Sequence, residues 1–461
     1  MKSAKTLDMT RGPIMKLILL FALPMCIGNV LQQLYNTIDT LVVGNFCGSI
    51  ALAAVGTSAQ PVELLLCIFV GIGTGVSILV SQYTGRGDAK GINELVSTAT
   101  AFLYMCSIPL SILGVFIVPP VLKFMQVPAD TWDYAVSYTR IIFLGTLGNM
   151  GYNMNAGILR GLGDSKASLL FLFISCFVNV VLDLLFVAVL GMDVNGVAVA
   201  TIIAMFSSWL LSIVYIKKKY PELDFHVIPH TVNQRMLVSI IRIGLPLGLN
   251  NSIYTVGHIA MQSLINAQGS AFMAACSVAS KLTGIANVAI NALSAAATTF
   301  AGQNIGAKQY NRLKTGSLRI PFFSGLITCI GGILVTIFGR QLLGIFTDDS
   351  AVLEMAMLYL YIVMPFTWPY AIFNSIIYFV NGLGEVKYPT IVNILTLWAV
   401  RIPCAYLIAH FINGQYVTAA LPVSFFFGMT AMLLYFFSKR WKKILRLAAE
   451  QEIKATAASS M

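Results

Sequence analysis

Twelve long apolar segments dominate the chain and constrain its fold more than any other feature. Each is long enough to cross a bilayer, which takes about 20 residues as a helix. Only 10% of the residues are charged and 57% are apolar, whereas roughly a quarter are charged in soluble domains. The pattern predicts an all-α polytopic membrane protein with twelve transmembrane helices. Their approximate limits are 15–42, 50–80, 93–118, 134–158, 168–190, 194–216, 237–265, 272–301, 318–339, 353–380, 389–412 and 416–438.

The two halves of the chain repeat each other at an offset of about 221 residues. The segment Arg-Gly-Leu-Gly-Asp at 160–164 returns as Asn-Gly-Leu-Gly-Glu at 381–385. Six spans per half return the chain to the side where it began, so the second copy enters the membrane in the same orientation. We therefore expect two six-helix bundles related by a pseudo-two-fold axis along the membrane normal, an architecture typical of secondary transporters.

The longest polar stretch lies between the repeats. It predicts an N-terminal lobe at 1–216 (spans 1–6), a cytoplasmic linker at 217–235, a C-terminal lobe at 236–438 (spans 7–12) and a basic cytoplasmic tail at 439–461. The short loops leave no room for a soluble catalytic domain, and the sequence has no G-x-x-x-x-G-K-[ST] phosphate loop. A membrane-embedded enzyme would need clustered nucleophiles, bases or metal ligands, but the four histidines are scattered. We expect the protein not to be an enzyme.

The net charge of +11 is distributed unevenly. Most Lys and Arg residues lie in segments that face the cytoplasm if the N-terminus does, whereas the outside loops hold only Lys123 and Arg340. This asymmetry follows the positive-inside rule and predicts a multi-pass protein of the cell inner (cytoplasmic) membrane with both termini in the cytoplasm. A nucleic-acid partner is not needed to explain the charge. The eight cysteines are isolated and form no C-x-x-C pair, so we expect no cofactor.

Acidic residues inside spans indicate the mechanism, because a charge at the bilayer centre costs at least about 2.5–3.5 kcal/mol. Asp39 lies in span 1 and Asp183 in span 5, with Asn179 one helical turn before Asp183. Thr201 in span 6 falls at a similar depth. We predict that these four oxygen-bearing residues bind the coupling ion, either a proton or Na⁺. In the alternative interpretation, Asn179 and Thr201 are ordinary hydrogen-bonding residues between helices.

The second half has diverged from the first. Met261 occupies the position that matches Asp39, and the charges well inside its spans are the cations Lys281 and Arg401. These cations either line a cavity or pair with backbone carbonyls or a carboxylate. The candidate cavity-lining residues are Tyr35, Asn36, Glu63, Asn153, Lys281, Trp368 and Arg401.

Several motifs together resemble the multidrug and toxic compound extrusion (MATE) family across nearly the whole chain. They are Leu34-Tyr35-Asn36-x-x-Asp39-Thr40, Ser81-Gln82 with Gly85, Arg160-Gly161-x-Gly163-Asp164, Asn179-x-x-x-Asp183, and Gly302-Gln303-Asn304 with Gly306. The resemblance implies a V-shaped cavity between two six-helix bundles and export of organic compounds in exchange for H⁺ or Na⁺. Asp39, Asn179, Asp183 and Thr201 look like the prokaryotic DinF-type branch, whose cation site lies in the N-terminal lobe. Glu63 is not part of that pattern.

These features predict a secondary active efflux transporter that exports amphipathic organic compounds or drugs in exchange for H⁺ or Na⁺ by alternating access. Lys281 and Arg401 keep a second hypothesis open, a lipid-linked precursor flippase of a related superfamily. A major-facilitator transporter would also have twelve spans, but its basic, acidic and glycine signature after span 2 is missing from Ser81 to Lys90. We expect a monomer that binds a small organic substrate and contacts membrane lipid.

Overall fold

The computed structural model describes residues 6–125, 127–223, 225–226, 229, 232–347 and 349–459, without the side chains of 49, 58–61, 63–65 and 452–459. Across these residues the chain is helical and forms no strand. Eleven helices in this part of the chain are long and apolar enough to cross a membrane. They overlap every predicted span except 134–158. The prediction of an all-α polytopic membrane protein is therefore confirmed.

The described residues of the first half form seven α-helices. They are α1 (Ile14–Val42), α2 (Gly48–Arg86), α3 (Ala89–Phe124), α4 (Trp132–Leu144), α5 (Thr146–Gly161), α6 (Ser165–Asp183) and α7 (Asp193–Lys219). Turns of π-helix follow α1 at Val43–Cys47 and α6 at Leu184–Val189. The predicted span 134–158 is divided between α4 and α5 at Gly145, and α5 carries Asn149, Asn153 and Asn155. Because each piece is short and the second is polar, neither qualifies alone as an apolar span.

In the second half, the part of the chain that the structure describes forms ten α-helices. They are α8 (Gln234–Asn266), α9 (Ser270–Gly306), α10 (Tyr310–Ile337), α11 (Gly339–Gly344), α12 (Ser350–Val363), α13 (Thr367–Gly382), α14 (Lys387–Leu395), α15 (Ile402–Phe411), α16 (Ala420–Leu434) and α17 (Lys439–Ser459). A turn of π-helix, Thr396–Arg401, joins α14 to α15. Short 3₁₀ turns precede α13 and α16 and follow α16.

The helices are grouped into two compact units. The N-terminal unit comprises Met1–Leu7 and Leu23–Leu249, and the C-terminal unit comprises Asp8–Ala22 and Asn250–Met461. The division therefore falls inside α1 and inside α8, each of which contains a proline close to it, Pro24 or Pro246. The first part of α8 packs in the N-terminal unit.

Glycines allow α2 and the first part of α8 to pack backbone to backbone in the N-terminal unit. A Cβ at Gly71 would lie 2.1 Å from the backbone nitrogen of Gly248, and a Cβ at Gly75 would lie 2.8 Å from the Cα of Gly244. Both helices thus use the spacing of two small residues four positions apart that permits close helix contact in membranes. Any larger residue would push the two helices apart.

The Gly302-Gln303-Asn304 motif holds the segment that precedes α1 in the C-terminal unit. The Met9 amide donates to Gln303 Oε1 at 2.9 Å, and Asn304 Nδ2 donates to the Met9 carbonyl at 3.0 Å. Arg312 also donates to the Met9 carbonyl and to that of Gly12. Met9 is completely buried. The amide side chains of this motif therefore satisfy the backbone groups of a buried connection, which would otherwise be costly to leave unpaired.

The repeated motif at 160–164 and 381–385 places an acidic residue just before a helix in each unit. Asp164 Oδ2 accepts hydrogen bonds from Tyr215 at 2.9 Å, Lys219 at 2.7 Å and Tyr220 at 2.8 Å. In the second repeat, Glu385 accepts from Tyr435 at 2.6 Å and from Arg440 at 2.7 Å. Burial, together with the charge of Asp164, raises the pKa of Tyr220 well above its ordinary value. Each acid thus joins the start of one helix to the end of a later one.

Candidate functional site

A stripe of polar side chains runs along one face of α1. Asn29, Gln32, Tyr35 and Asp39 follow one another at intervals of three or four residues, the spacing that places side chains on one side of a helix. Tyr35 and Asp39 are half-buried. The stripe carries polar groups from the middle of the first span to its end, where the acidic residue lies.

Asp39 and Asp183 meet at the end of this stripe. Their carboxyl groups interact with each other, and Asp39 also interacts with Tyr35. The Asp183 side chain is completely buried at the last position of α6. Asp39 comes from α1, so the contact joins two helices that are far apart in the sequence.

Asn179 and Thr201 complete the cluster. Asn179 Nδ2 donates to Thr201 Oγ1 at 3.3 Å, and the Thr201 hydroxyl itself donates to the Val197 carbonyl at 2.9 Å. Tyr35 also interacts with Thr201. Asn179 is 0% exposed and Thr201 is 5% exposed. The structure thus brings together all four residues of the predicted cation site and adds Tyr35 as a fifth member; we call these five residues the acidic cluster.

The acidic cluster lies beside irregular helical turns. The π-helical turn Leu184–Val189 begins directly after Asp183, and Val43–Cys47 begins four residues after Asp39. Turns of this kind are rare and occur frequently at functional sites, because the extra residue redirects the side chains around it. In both α1 and α6, the backbone that follows the acidic residue therefore departs from a regular α-helix.

A polar cavity of about 170 Å³ adjoins the acidic cluster within the N-terminal unit. Tyr35 and Thr201 belong to both the cavity wall and the cluster. The cluster and the cavity therefore share these two side chains. The wall is formed by Pro24, Met25, Gly28, Asn29, Gln32, Tyr35, Asn149, Tyr152, Asn153, Arg160, Ser165, Ser168, Leu169, Leu172, Ser175, Cys176, Thr201 and Met205.

The structure separates the other candidate lining residues. Tyr35 and Asn153 line this cavity, whereas Asn36 is exposed and is not among its described wall residues. The side chain of Glu63 lies outside the described part of the structure. Lys281 and Trp368 lie in the C-terminal unit, where they contact Phe346 and Phe426 respectively. Arg401 is buried in that unit.

Several wall residues were not singled out from the sequence. Asn29 and Gln32 were detectable, because they continue the helical spacing of Tyr35 and Asp39 towards the N-terminus. Tyr152 donates to the Ser168 carbonyl at 3.2 Å, a contact between α5 and α6 that no local pattern predicts. Arg160 was known only as part of the repeated loop motif. Its place in the wall results from tertiary packing.

The family model described as MatE matches the chain twice, at residues 24–185 and 246–407. The chain is 28% identical to the probable multidrug resistance protein YpnP of Bacillus subtilis (strain 168), over 95% of this chain and 98% of that protein. It is 23% identical to the probable multidrug resistance protein NorM of Thermotoga maritima, over 95% of each.

Solved structures share the fold. The chain superposes with a TM-score of 0.87 on an outward-facing multidrug resistance MATE family transporter of the MOP superfamily, at 23% identity, covering 98% of this chain and 100% of that one. A MATE structure in a complex with MaD3S gives a TM-score of 0.88 over 98% of this chain and 100% of that one, also at 23% identity. The two matches of the family model together span more than half of the sequence, and the chain belongs to the MatE family of multidrug and toxic compound extrusion transporters.

Proposed function

We propose that this protein exports amphipathic organic compounds in exchange for protons, and that Asp39 and Asp183 are the proton-binding pair. The observation that carries the proposal is the close interaction of the two carboxyl groups. An ionised carboxylate only accepts hydrogen bonds. The two groups can therefore hydrogen bond to each other only when one of them carries a proton, which makes the pair suited to binding a proton.

Loss of the shared proton would leave two negative charges in contact, one of them on a completely buried side chain. Like charges at this separation repel each other, and burial inside a span adds a further cost. The pair would then separate or gain water or a cation. Because Tyr35 and Thr201 also form part of the cavity wall, this change would alter the cavity. Proton binding and substrate binding would thus favour different conformations, which is the requirement for exchange.

Sodium is the second candidate for the coupling ion. The cluster offers carboxylate, amide and hydroxyl oxygens, which are suitable ligands for a hard cation. A sodium ion would bind between Asp39 and Asp183. The proton-release experiment below distinguishes the two ions.

The cavity supports a substrate with both apolar and polar parts. Aromatic and thioether groups from Tyr152, Met25 and Met205 stand beside the amides of Asn29 and Asn149. Methionine adapts its shape to different ligands, and the polar groups of the wall can fix the orientation of a small molecule by hydrogen bonding. Relatives named as probable multidrug resistance proteins support efflux over the flippase alternative.

The charge distribution supports the orientation of the transporter in the inner membrane. The basic residues of α17, including Lys439, Arg440, Lys442 and Lys443, follow the last span. With the positive-inside rule they favour a cytoplasmic C-terminus, and an even number of spans then brings the N-terminus to the same side. The acidic cluster and the cavity lie within one unit of a single chain, and we propose that the protein works as a monomer.

Proton release on substrate binding tests the proposal. Purified protein in weakly buffered detergent would be mixed with a fluorescent cationic dye while a pH indicator is followed. The wild type should release protons, and Asp39→Asn and Asp183→Asn should not. Asp130→Asn, which alters an exposed carboxylate of the same unit, is the matched control and should release as the wild type does. Dye binding without proton release, but weakened by added Na⁺, would favour sodium coupling instead.

A further inference from the structure

Arg401 is a buried cation in the C-terminal unit. It is 3% exposed and ends the π-helical turn between α14 and α15. Its Nε donates to Ser424 Oγ at 2.9 Å, and its Nη1 donates to the Tyr254 hydroxyl at the longer distance of 3.4 Å. The guanidinium carbon lies 5.4 Å from the centre of the Phe425 ring. Neutral groups from α8 and α16 thus surround the positive charge.

No carboxylate among the described residues neutralises this charge. A guanidinium has five N–H donors, and the described contacts of Arg401 use two of them. The described carboxylates of the C-terminal unit are Asp8, Asp349, Glu354, Glu385 and Glu450, and none of them forms an ion pair with Arg401. A charge buried in a span without a counter-charge is costly, and such residues commonly mark a functional site.

The surroundings of Arg401 extend from the buried guanidinium to an open face of the unit. Tyr254 is half-buried; its hydroxyl accepts a hydrogen bond from Arg401 and also interacts with Tyr370. One turn further along α8, His258 is exposed and packs its ring against Tyr254 at 4.7 Å. Tyr370 also packs against Phe425, with tilted rings whose centres lie 4.7 Å apart. Hydrogen-bond donors and aromatic faces therefore line the approach to the cation.

We propose that Arg401, Tyr254 and Tyr370 form a binding site for the anionic oxygens, carboxylate or phosphate, of an aromatic substrate. The inference rests on the proposed function, since it names a class of compounds that the exporter accepts: aromatic molecules with an anionic group, including zwitterions. A guanidinium matches two oxygens of such a group with two parallel hydrogen bonds. The hydroxyls of Tyr254 and Tyr370 add donors, and the half-buried ring of Tyr370 offers a surface for an aromatic body.

A purely structural role for Arg401 makes a different prediction. As a tie between α8 and α16, the residue would affect stability but would not distinguish a substrate with a carboxylate from one without. The two roles are separated by a pair of dyes that differ only in this group. A rhodamine methyl ester is a cation, and the same rhodamine with its free carboxylate is a zwitterion.

The experiment measures equilibrium binding of both dyes to purified protein by fluorescence anisotropy. The wild type should bind the carboxylate dye about tenfold more tightly than the ester, as expected for one charge-assisted contact. Arg401→Gln should bring the ratio of the two affinities to about one by weakening only the carboxylate dye. Arg401→Lys keeps the charge but loses the planar guanidinium that can donate two parallel hydrogen bonds. It should retain part of the preference for the carboxylate dye. Arg319→Gln removes an exposed cation of the same unit and should keep the full preference.

An unchanged ratio in folded Arg401→Gln protein would overturn the site. Folding is checked by retained ester binding and a monodisperse elution profile. If Arg401→Gln does not fold, the same two affinities are measured in Tyr254→Phe and Tyr370→Phe. A smaller preference for the carboxylate dye over the ester in these variants supports the site. An equal change in the affinities for both dyes contradicts it. Wild-type binding of both dyes without preference contradicts this inference alone, whereas binding of neither dye contradicts the proposed function.

Added phosphatidylglycerol distinguishes the two sources of anionic oxygens. Competition by this lipid against the carboxylate dye, seen in the wild type and lost in Arg401→Gln, would make a lipid phosphate the occupant of the site. No competition would assign the site to the carboxylate of a soluble substrate.

Discussion

Lys219 donates a hydrogen bond at 2.7 Å to the carboxylate of Asp164, which is only 5% exposed. The equivalent contact of the second repeat, from Arg440 to Glu385, has the same length, but the Glu385 side chain is 25% exposed. The duplicated loop motif therefore forms equivalent ion pairs between helices, one around a buried carboxylate and the other around a more exposed one. Asp164 also accepts from two tyrosines and from the amide of Ala167.

This difference predicts that Asp164→Asn destabilises the protein more than Glu385→Gln. Neutralising Asp164 leaves Lys219 without its partner and weakens several hydrogen bonds, which should cost about 2–4 kcal/mol. The more exposed Glu385 pair should cost about 1 kcal/mol or less. Thermal unfolding of both variants in the same detergent measures the order. A larger loss for Glu385→Gln would contradict this account of the motif.

Alkaline pH should weaken the hydrogen bonds around Asp164 through the ionisation of Tyr220. Its pKa is raised in the folded state by burial and by Asp164, so the folded protein keeps the phenolic proton at a pH where the unfolded chain has lost it. The stabilisation is fully present below about pH 10, the ordinary tyrosine pKa, and declines above it. We expect the melting temperature of the wild type to fall more steeply above about pH 10 than that of Tyr220→Phe. Parallel curves would show that Tyr220 does not contribute.

The glycine contact between α2 and α8 should be sensitive to a single methyl group. Gly71→Ala would place a carbon against the backbone of Gly248, and we expect it to destabilise the protein by about 1–3 kcal/mol or to prevent its folding. Gly56→Ala lies in the same helix with nothing within 4 Å of the new Cβ and should be neutral or slightly stabilising. Yield and thermal unfolding compare the two. Equal stability of both variants would contradict the close packing.

Thr201 should connect the proton site to the cavity through its hydroxyl. Thr201→Val keeps the shape but removes the acceptor of the Asn179 hydrogen bond and the partner of Tyr35. We expect dye efflux driven by a pH gradient to fall about tenfold, as for the loss of one or two hydrogen bonds in a network, with dye affinity changed less. Thr201→Ser restores the hydroxyl and should recover transport. Equal loss in Val and Ser variants would indicate a packing role instead.

Local patterns predicted the fold and much of the acidic cluster. Long apolar segments dictate spanning helices because backbone groups in lipid must be paired within the segment, and eleven of the predicted spans overlap such a helix in the described chain. Asn179 and Asp183 share a face because they are one turn apart. The predicted span 134–158 does not match a single apolar helix, because the chain divides at Gly145 and asparagines make the second part polar.

Contacts between distant helices could not be read from the sequence. The contact between Asp39 and Asp183 depends on how α1 packs against α6. In the same way, Arg160 and Tyr152 reach the cavity wall only through the packing of α1, α5 and α6. The surroundings of Arg401 are a second example. Its described hydrogen-bond partners come from α8 and α16 and are neutral, and this could not be predicted from the sequence near Arg401. Spacing along a helix predicts which residues share a face, but it does not predict which face meets which.

Dye efflux from proteoliposomes under an imposed gradient tests the central claim most directly. Wild type, Asp183→Asn and Asp130→Asn would be compared under a pH gradient and, separately, under a sodium gradient. The account predicts efflux driven by the pH gradient in the wild type and in Asp130→Asn, and none in Asp183→Asn. Efflux driven by sodium alone, or efflux that survives in Asp183→Asn, would contradict a proton-binding pair formed by Asp39 and Asp183.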